Sequence, residues 1–266
     1  MKIHPTAIVS PKAEIHENVE IGAYTIIEDD VVIGKNTTIG AYCYIHSGTI
    51  IGENNQIFSY ANIGGLPQDI SFDPKKKTKI VIGNHNIIRE YANLHRSTKE
   101  EPTRIGDENY IMGSVHIAHD CKIGNRNILV HSSVLAGHVE IGNRAFISGH
   151  VGIHQFCRVG DYSIIGGLAK VVQDIPPYMM ADGNPAEIVG INIVGLRRAN
   201  FTEEQKRKIK QAYKILYKSE FSISKALEEL KLQFPNDPDI QILIDFIEKS
   251  KRGIASSSKT THAAEF

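Results

Sequence analysis

Six of the twelve histidines of this 266-residue chain fall between His116 and His154. An imidazole, with an ordinary pKa of about 6.5, is the natural general base around neutrality. A carboxylate can orient such a ring, and Asp120 directly follows His119. If residues 18 apart stack, His119 lies over Gly137 and then Gln155, and Asp120 over His138 and then Phe156. The neighbouring column reads Ala118, Ala136, His154. His119, Asp120, Gly137, His138, His154 and Gln155 then share one face, with His116 at the preceding corner. Gly137, one rung from His119, is placed to offer a backbone N–H to an oxyanion. That face has no serine or cysteine nucleophile. Direct attack by a substrate group, with histidine as base, is therefore favoured over a covalent intermediate. A separate column, Gly113, His131, Gly149 and Gly167, leaves a shallow trough suited to a long apolar group. Two other readings stand beside this one. His116-x-x-His119 with His138 resembles a catalytic zinc site of three histidines plus water, as in a γ-class carbonic anhydrase. The same histidines could also simply coat a structural solenoid.

The stacking rule comes from the elements that must carry these side chains. Aliphatic residues recur every six positions in three unbroken runs: Ile3 to Ile63, Ile82 to Leu94, and Ile105 to Val171. A period of six fits neither an amphipathic helix nor an amphipathic strand over such lengths. It predicts a parallel β-helix, each six supplying a short strand and a corner and three sixes closing a triangular rung. Roughly nine rungs about 4.8 Å apart make a prism about 40 Å long. The fifth place of each six should also point inward where room is short, and it holds small residues such as Ala7, Thr25, Asn55, Val115 and Ala145. Glycine is frequent at the second place (Gly22, Gly34, Gly106, Gly124), where it is expected to supply the angles of a tight corner. All three cysteines occupy fifth places. Cys121 and Cys157 are two rungs apart, beyond the ~7 Å reach of a disulfide, and read as buried thiols. With 30 basic and 30 acidic residues the net charge is zero, which gives no general case for nucleic acid or membrane binding. The absence of an apolar N-terminal run predicts neither signal peptide nor membrane span, hence a cytoplasmic protein.

The hexads end around Pro176, Pro177, Gly183 and Pro185, and beyond Gly190 the period changes. Thr202 with Gln205 reads as a capping box, opening a helix that runs to Lys218. Two more helices are expected, Ile223 to Phe234 and Asp239 to Ser250, split by Pro235 and Pro238. The predicted organisation is a β-helix over residues 1–190, a small helical domain over 191–252, and a disordered polar tail over 253–266. Two insertions interrupt the hexads, 64–81 and the shorter 97–104; a loop as long as the first is uncommon inside a rigid solenoid unless it is functional, the alternative being a solvated surface loop.

Several segments carry a resemblance. His-Ile-Ala-His-Asp-Cys (116–121), Leu-Ala-Gly-His-Val (135–139), His-Gln-Phe-Cys (154–157), Gln-Asp-Ile-Pro-Pro-Tyr (173–178), Gly-Asn-Pro (183–185) and Asn-Ile-Val-Gly-Leu-Arg-Arg (192–198) are similar to the acyl-carrier-protein–UDP-N-acetylglucosamine O-acyltransferase family, which begins lipid A synthesis in Gram-negative bacteria. The resemblance covers the whole chain except about the last dozen residues. It implies a left-handed β-helix, an exception to right-handed crossover, and a homotrimer with active sites between subunits. His119 matches the family's general base, Asp120 its orienting partner and Gly137 the oxyanion-hole amide. His116, His138, His154 and Gln155 match substrate-contacting positions. Asp69 in the longer insertion matches a sugar contact, with Gln68 beside it, and Asn192 and Arg198 match contacts to the UDP part. The acyl groove implied is that of Gly149 and Gly167, with Lys170 three residues on, where better-known members carry a small residue. Val194, Ala199 and Ser71 replace a glutamate, an arginine and a lysine of those members.

The sequence is thus read as a mainly β enzyme with a helical C-terminal domain. It is expected to move a (3R)-3-hydroxyacyl chain from acyl carrier protein to the 3-position of UDP-N-acetylglucosamine. No metal or other cofactor is expected, the acyl group arriving on the carrier's phosphopantetheine. N-acylation of the 3-amino analogue of the sugar is the alternative within the class.

Overall fold

The computed structural model describes residues 2–257. The chain forms a left-handed parallel β-helix whose three faces are three sheets of two- to four-residue strands. The first face begins at Lys2–Ile3, the second at Ile8–Val9 and the third at Glu14–Ile15. Consecutive hexads visit the faces in turn, so each strand pairs with the one 18 residues on. His116 pairs with Val134, Val134 with Gly152, and Gly152 with Lys170. The stack continues across the insertions: Asn62 pairs with Asn93 across the longer one, with a register shift between Ile63 and Gly65 where it leaves the strand, and Asn93 pairs with His116 across the shorter.

The interior is as the period requires. Hexad aliphatics from Ile21 to Val171 are buried, together with the small fifth-place residues. Cys43, Cys121 and Cys157 are buried free thiols, and burial pushes the Cys121 thiol up to about 12. Where the fifth place holds asparagine, a ladder forms inside the prism. Asn86 Oδ1 accepts from both the backbone N (2.9 Å) and Nδ2 (3.0 Å) of Asn109, and Asn109 does the same for Asn127. Every amide in this buried row is satisfied, so it holds the register of successive rungs without an unpaired polar group.

The second-place glycines have a different cause from the one expected. None of Gly22, Gly34, Gly106 or Gly124 has positive φ. The left-handed corner residues are non-glycines two places later, such as Tyr24, Asn36, Asp120 and His138, with φ of 57°, 57°, 61° and 62°. Glycine is needed because the next rung lies against it. A Cβ on Gly22 would stand 2.6 Å from the backbone N of Ala41.

After Lys170–Val171 an antiparallel hairpin, Met179–Gly183 with Ala186–Ile191, extends the first face. The hexad pattern held no sign of this hairpin. Four helices follow: α1 Ile193–Arg198, α2 Glu203–Tyr217, α3 Ile223–Gln233 and α4 Pro238–Glu248. The capping box at Thr202 and Gln205 is present at the start of α2. Pro238 does not break a helix but opens α4, with Asp237 as N-cap. The helices are tied to the β-helix. Tyr178, fully buried, donates its hydroxyl to Asp239 O at 3.2 Å, and Arg158 Nη1 donates to Phe246 O at 3.1 Å while its guanidinium covers the Phe246 ring. The expectation of a disordered tail from residue 253 is corrected for its first residues. Ile254 and Ser257 bridge Asp174 and Ile188, and Ala255 is buried. Residues 258–266 of that tail lie outside the described residues.

Candidate active site

The corner between the second and third faces carries the chemistry. The hexad dictates the spacing: Ile117 and Cys121 point inward, which leaves His119 and Asp120 on the turn between them. Asp120 adopts the left-handed conformation (φ 61°) that a short polar side chain tolerates. Its Oδ2 lies 2.7 Å from His119 Nδ1. With Nδ1–H donating to the carboxylate, His119 Nε2 is left with its lone pair free. Both side chains are well covered, at 14 % and 7 % exposure. Burial pushes the Asp120 carboxyl up, but hydrogen bonds from His119 and Thr98 outweigh it and hold the group below the usual carboxylate range.

Gly137 lies one rung above, against the ring. A Cβ there would stand 2.6 Å from His119 Cε1 and 2.9 Å from Nε2, so the close approach of backbone to imidazole requires glycine. Its carbonyl accepts from Phe156 N, while its N–H donates to no other described residue. His138 stacks on Phe156 with centroids 4.5 Å apart and meets His119 edge-on at 5.4 Å. Its Nε2 is 3.6 Å from Asp120 Oδ2. Burial lowers the His138 pKa, against the pull of the Asp120 charge. His116, in a strand of the second face rather than at a corner, meets His95 edge-on at 5.1 Å. Burial, then the charges of His95 and His119, push its pKa down to about 4, so it is neutral near pH 7.

The remaining expected residues are less tightly gathered. His154 and Gln155 are exposed on the next rung, with His154 Nδ1 3.1 Å from the Gln155 carbonyl. Asp69 Oδ1 accepts from the backbone N (2.8 Å) and hydroxyl (2.7 Å) of Ser71, which hold its carboxyl below the usual range; Gln68 is exposed beside it. Asn192 caps α1, its Oδ1 accepting from Gly195 N (2.9 Å) and its Nδ2 donating to Tyr162 O (2.7 Å), and Arg198 is exposed at the end of the same helix. The hydrogen bonds of Asn192 tie it to Tyr162 and Gly195, not to the histidine corner of the same chain, whereas the charge of Asp69 acts on His138 and is itself acted on by His119 and Asp120. The glycine trough is open at Gly149 and Gly167, where an added Cβ would meet nothing nearer than 3.4 Å, and is overhung at Gly113 by His131 Nδ1 at 3.0 Å. It widens over Gly152, whose Cβ would meet nothing within 4 Å. Lys170 pairs with Gly152 on the second face and is exposed, so it borders the trough rather than the following corner.

Sequence reasoning missed three neighbours, His95, Thr98 and Thr103, whereas Phe156 stands over His138 as the 18-residue column requires. His95 is buried and its Nδ1 lies 2.6 Å from Leu66 O, pinning the start of the longer insertion. Carrying the register across the shorter insertion, Asn93 to His116, would have placed His95 beside this site. The ligand set of the rival zinc reading, His116, His119 and His138, is not the one the structure gathers. Among the described residues, the ligand atoms that come within 4.8 Å of one another are those of His119, Asp120 and His138; His116 is not among them.

Residues 174–255 match the family described as UDP N-acetylglucosamine O-acyltransferase, domain 2, and residues 12–47, 30–65 and 102–137 match bacterial transferase hexapeptide repeats. An acyl-[acyl-carrier-protein]–UDP-N-acetylglucosamine O-acyltransferase of Paraburkholderia phymatum is 47% identical over 263 residues, covering 95% of this chain and 98% of its own. The solved UDP-N-acetylglucosamine acyltransferase of Francisella novicida superposes with a TM-score of 0.94 at 40% identity, covering 99% of each chain. That of Campylobacter jejuni does so at 0.91 and 37%, covering 97% of this chain and 100% of its own. This chain belongs to the family of acyl-[acyl-carrier-protein]–UDP-N-acetylglucosamine O-acyltransferases.

Proposed function

We propose that the protein transfers a (3R)-3-hydroxyacyl group from acyl carrier protein to the 3-hydroxyl of UDP-N-acetylglucosamine, the opening step of lipid A synthesis, with His119 as general base. The observation that carries the mechanism is the 2.7 Å contact of His119 Nδ1 with Asp120, which leaves Nε2 free beside the Gly137 N–H, a donor with no acceptor among the described residues. Nε2 takes the proton of the sugar hydroxyl as its oxygen attacks the thioester carbonyl. The Gly137 N–H stabilises the oxyanion, and Asp120 stabilises the imidazolium. Collapse of the tetrahedral intermediate breaks the C–S bond, and the leaving thiolate receives the proton from His119. His116, His138, His154 and Gln155 contact the sugar or acyl carbonyl, His116 as a neutral group, and Asp69 with Gln68 contacts the sugar from the insertion. The acyl chain lies over Gly149 and Gly167 toward Lys170.

The reaction as proposed needs no metal or other cofactor. Asn192 and Arg198 serve the UDP part across a subunit boundary of a homotrimer, a reading supported by the exposure of Arg198 on α1. Division of the chain near residue 190 into a catalytic β-helix and a helical domain belongs to the same reading. No helix among the described residues is long and apolar enough to cross a membrane. Acyl carrier protein and nucleotide sugars are cytoplasmic, so the proposed reaction is cytoplasmic too. The test is mass spectrometry of products from UDP-N-acetylglucosamine and its 3-amino analogue, with wild type and His119→Ala. His119→Ala should lower turnover by about 10² or more, and wild-type turnover in that variant removes His119 from the mechanism. A product formed only from the amino sugar assigns N-acylation instead.

A further inference from the structure

We propose that Thr98 is a positioning residue for the acyl transfer, and that the short insertion 97–104 exists to hold the Asp120 carboxylate in the orientation that serves His119. The inference rests on the general-base reading above.

Asp120 Oδ2 has two imidazoles to choose between. His119 Nδ1 is at 2.7 Å and His138 Nε2 at 3.6 Å. A carboxylate on a single χ2 rotation can swing toward either, and only the first leaves His119 in the tautomer with a free Nε2. The backbone N of Thr98 donates to Oδ1 at 3.1 Å and its hydroxyl donates to Oδ2 at 2.7 Å. These two bonds engage both carboxylate oxygens, and so fix the plane of the group as well as its position. The same loop grips the main chain: Asp120 N donates to Thr103 Oγ1 at 2.8 Å. Residue 120 is thus clamped at its amide and at its carboxylate from one segment.

The segment is itself anchored. Ser97 N and Thr103 N both donate to Lys79 O at 3.1 Å, and Ser97 Oγ donates to Lys99 O at 2.8 Å. Lys79 lies near the end of the longer insertion, which carries Asp69. One carbonyl therefore joins the loop that orients the base to the loop proposed to hold the sugar. A structural loop would need neither a hydroxyl aimed at a catalytic carboxylate nor a pair of bonds spread over its two oxygens.

The experiment is a steady-state comparison of Thr98→Val, Thr98→Ser, Asp120→Ala and the double variant Thr98→Val with Asp120→Ala, with acyl carrier protein thioester and UDP-N-acetylglucosamine as substrates. Valine keeps the shape and the backbone N–H but loses the hydroxyl. Thr98→Val should lower kcat about tenfold, the size expected for a hydrogen bond to a charged group, with both KM values within about twofold. Thr98→Ser should recover most of the loss. In the Asp120→Ala background the valine substitution should cost nothing further, because its effect passes through the carboxylate. The proposal is overturned if Thr98→Val turns over like wild type, or if its loss persists undiminished without the carboxylate. Should Thr98→Val not give folded protein, Thr98→Ala against Thr98→Ser makes the same comparison. Collapse of turnover in His119→Ala and Asp120→Ala with none in Thr98→Val sinks only the clamp. Wild-type turnover in His119→Ala and Asp120→Ala sinks the general-base reading and the clamp together.

Discussion

Adding one methyl group at Gly137 should disable the site without unfolding the protein. Gly137 does not have positive φ, so alanine brings no backbone strain there. What it brings is a Cβ 2.6 Å from His119 Cε1 and 2.9 Å from Nε2. Carbon atoms are comfortable at about 3.5 Å or more, so the ring must retreat by about 0.9 Å along that contact. The bond from His119 Nδ1 to Asp120 Oδ2 is 2.7 Å long. A retreat of that size away from the carboxylate stretches it past about 3.5 Å, where a hydrogen bond no longer holds. The free Nε2 moves off the attacking oxygen by a similar amount, and a misplacement of about 1 Å is worth about 10² in rate, or about 2.7 kcal/mol of barrier. We expect Gly137→Ala to lose about 10² or more in kcat with a melting temperature close to wild type. Acyl transfer to UDP-N-acetylglucosamine, followed by mass spectrometry alongside a circular-dichroism melt, reads both. Turnover within about threefold of wild type would show that the imidazole moves aside without penalty. The geometry assigned here to His119 and Gly137 would then not be the catalytic one.

Three further outcomes are expected. Lys170 borders the open trough beyond Gly152, and its four-carbon stem can lie along it with the ammonium in water. Because each buried methylene is worth about 0.8 kcal/mol, losing trough length to that stem should make wild type favour donors of limited length, and Lys170→Gly should shift preference to longer ones; an unchanged donor profile removes Lys170 as the ruler. His116 has a folded pKa pushed down to about 4 from an ordinary 6.5, so the unfolded chain binds its proton more readily. Stability should therefore fall as pH drops from 6.5 to 4, by about 2 kcal/mol after allowing for solvent screening, and urea melts of His116→Gln should show a flatter slope in that window; equal slopes would mean the imidazole does not contribute. Elemental analysis should find no stoichiometric metal at His119, Asp120 and His138, and turnover should survive chelation; one zinc per chain, with activity lost on chelation and restored by zinc, would revive the hydrase reading.

The hexad by itself determines much of this fold. An aliphatic every six residues can only be buried if the chain turns the same way at every corner, and that forces residues 18 apart into columns. For this reason His119, Gly137, Asp120 and His138 could be placed together from their numbers alone, and the three thiols could be sent to the interior. The helical segment was legible where local chemistry is strong, as at the Thr202 cap of α2. What the repeat could not specify is whatever has no repeat. The bond from Thr98 to Asp120 spans 22 residues and that from His95 to Leu66 spans 29, and both arise in insertions whose paths follow from tertiary hydrogen bonds rather than from a period. The hairpin Met179–Gly183 with Ala186–Ile191 and the docking of Ile254 on Asp174 belong to the same class. The second-place glycines show the limit from the other side. Their positions were plain in the sequence, but the reason for them is the backbone of the next rung 2.6 Å from a missing Cβ, and that distance exists only once the rungs have stacked.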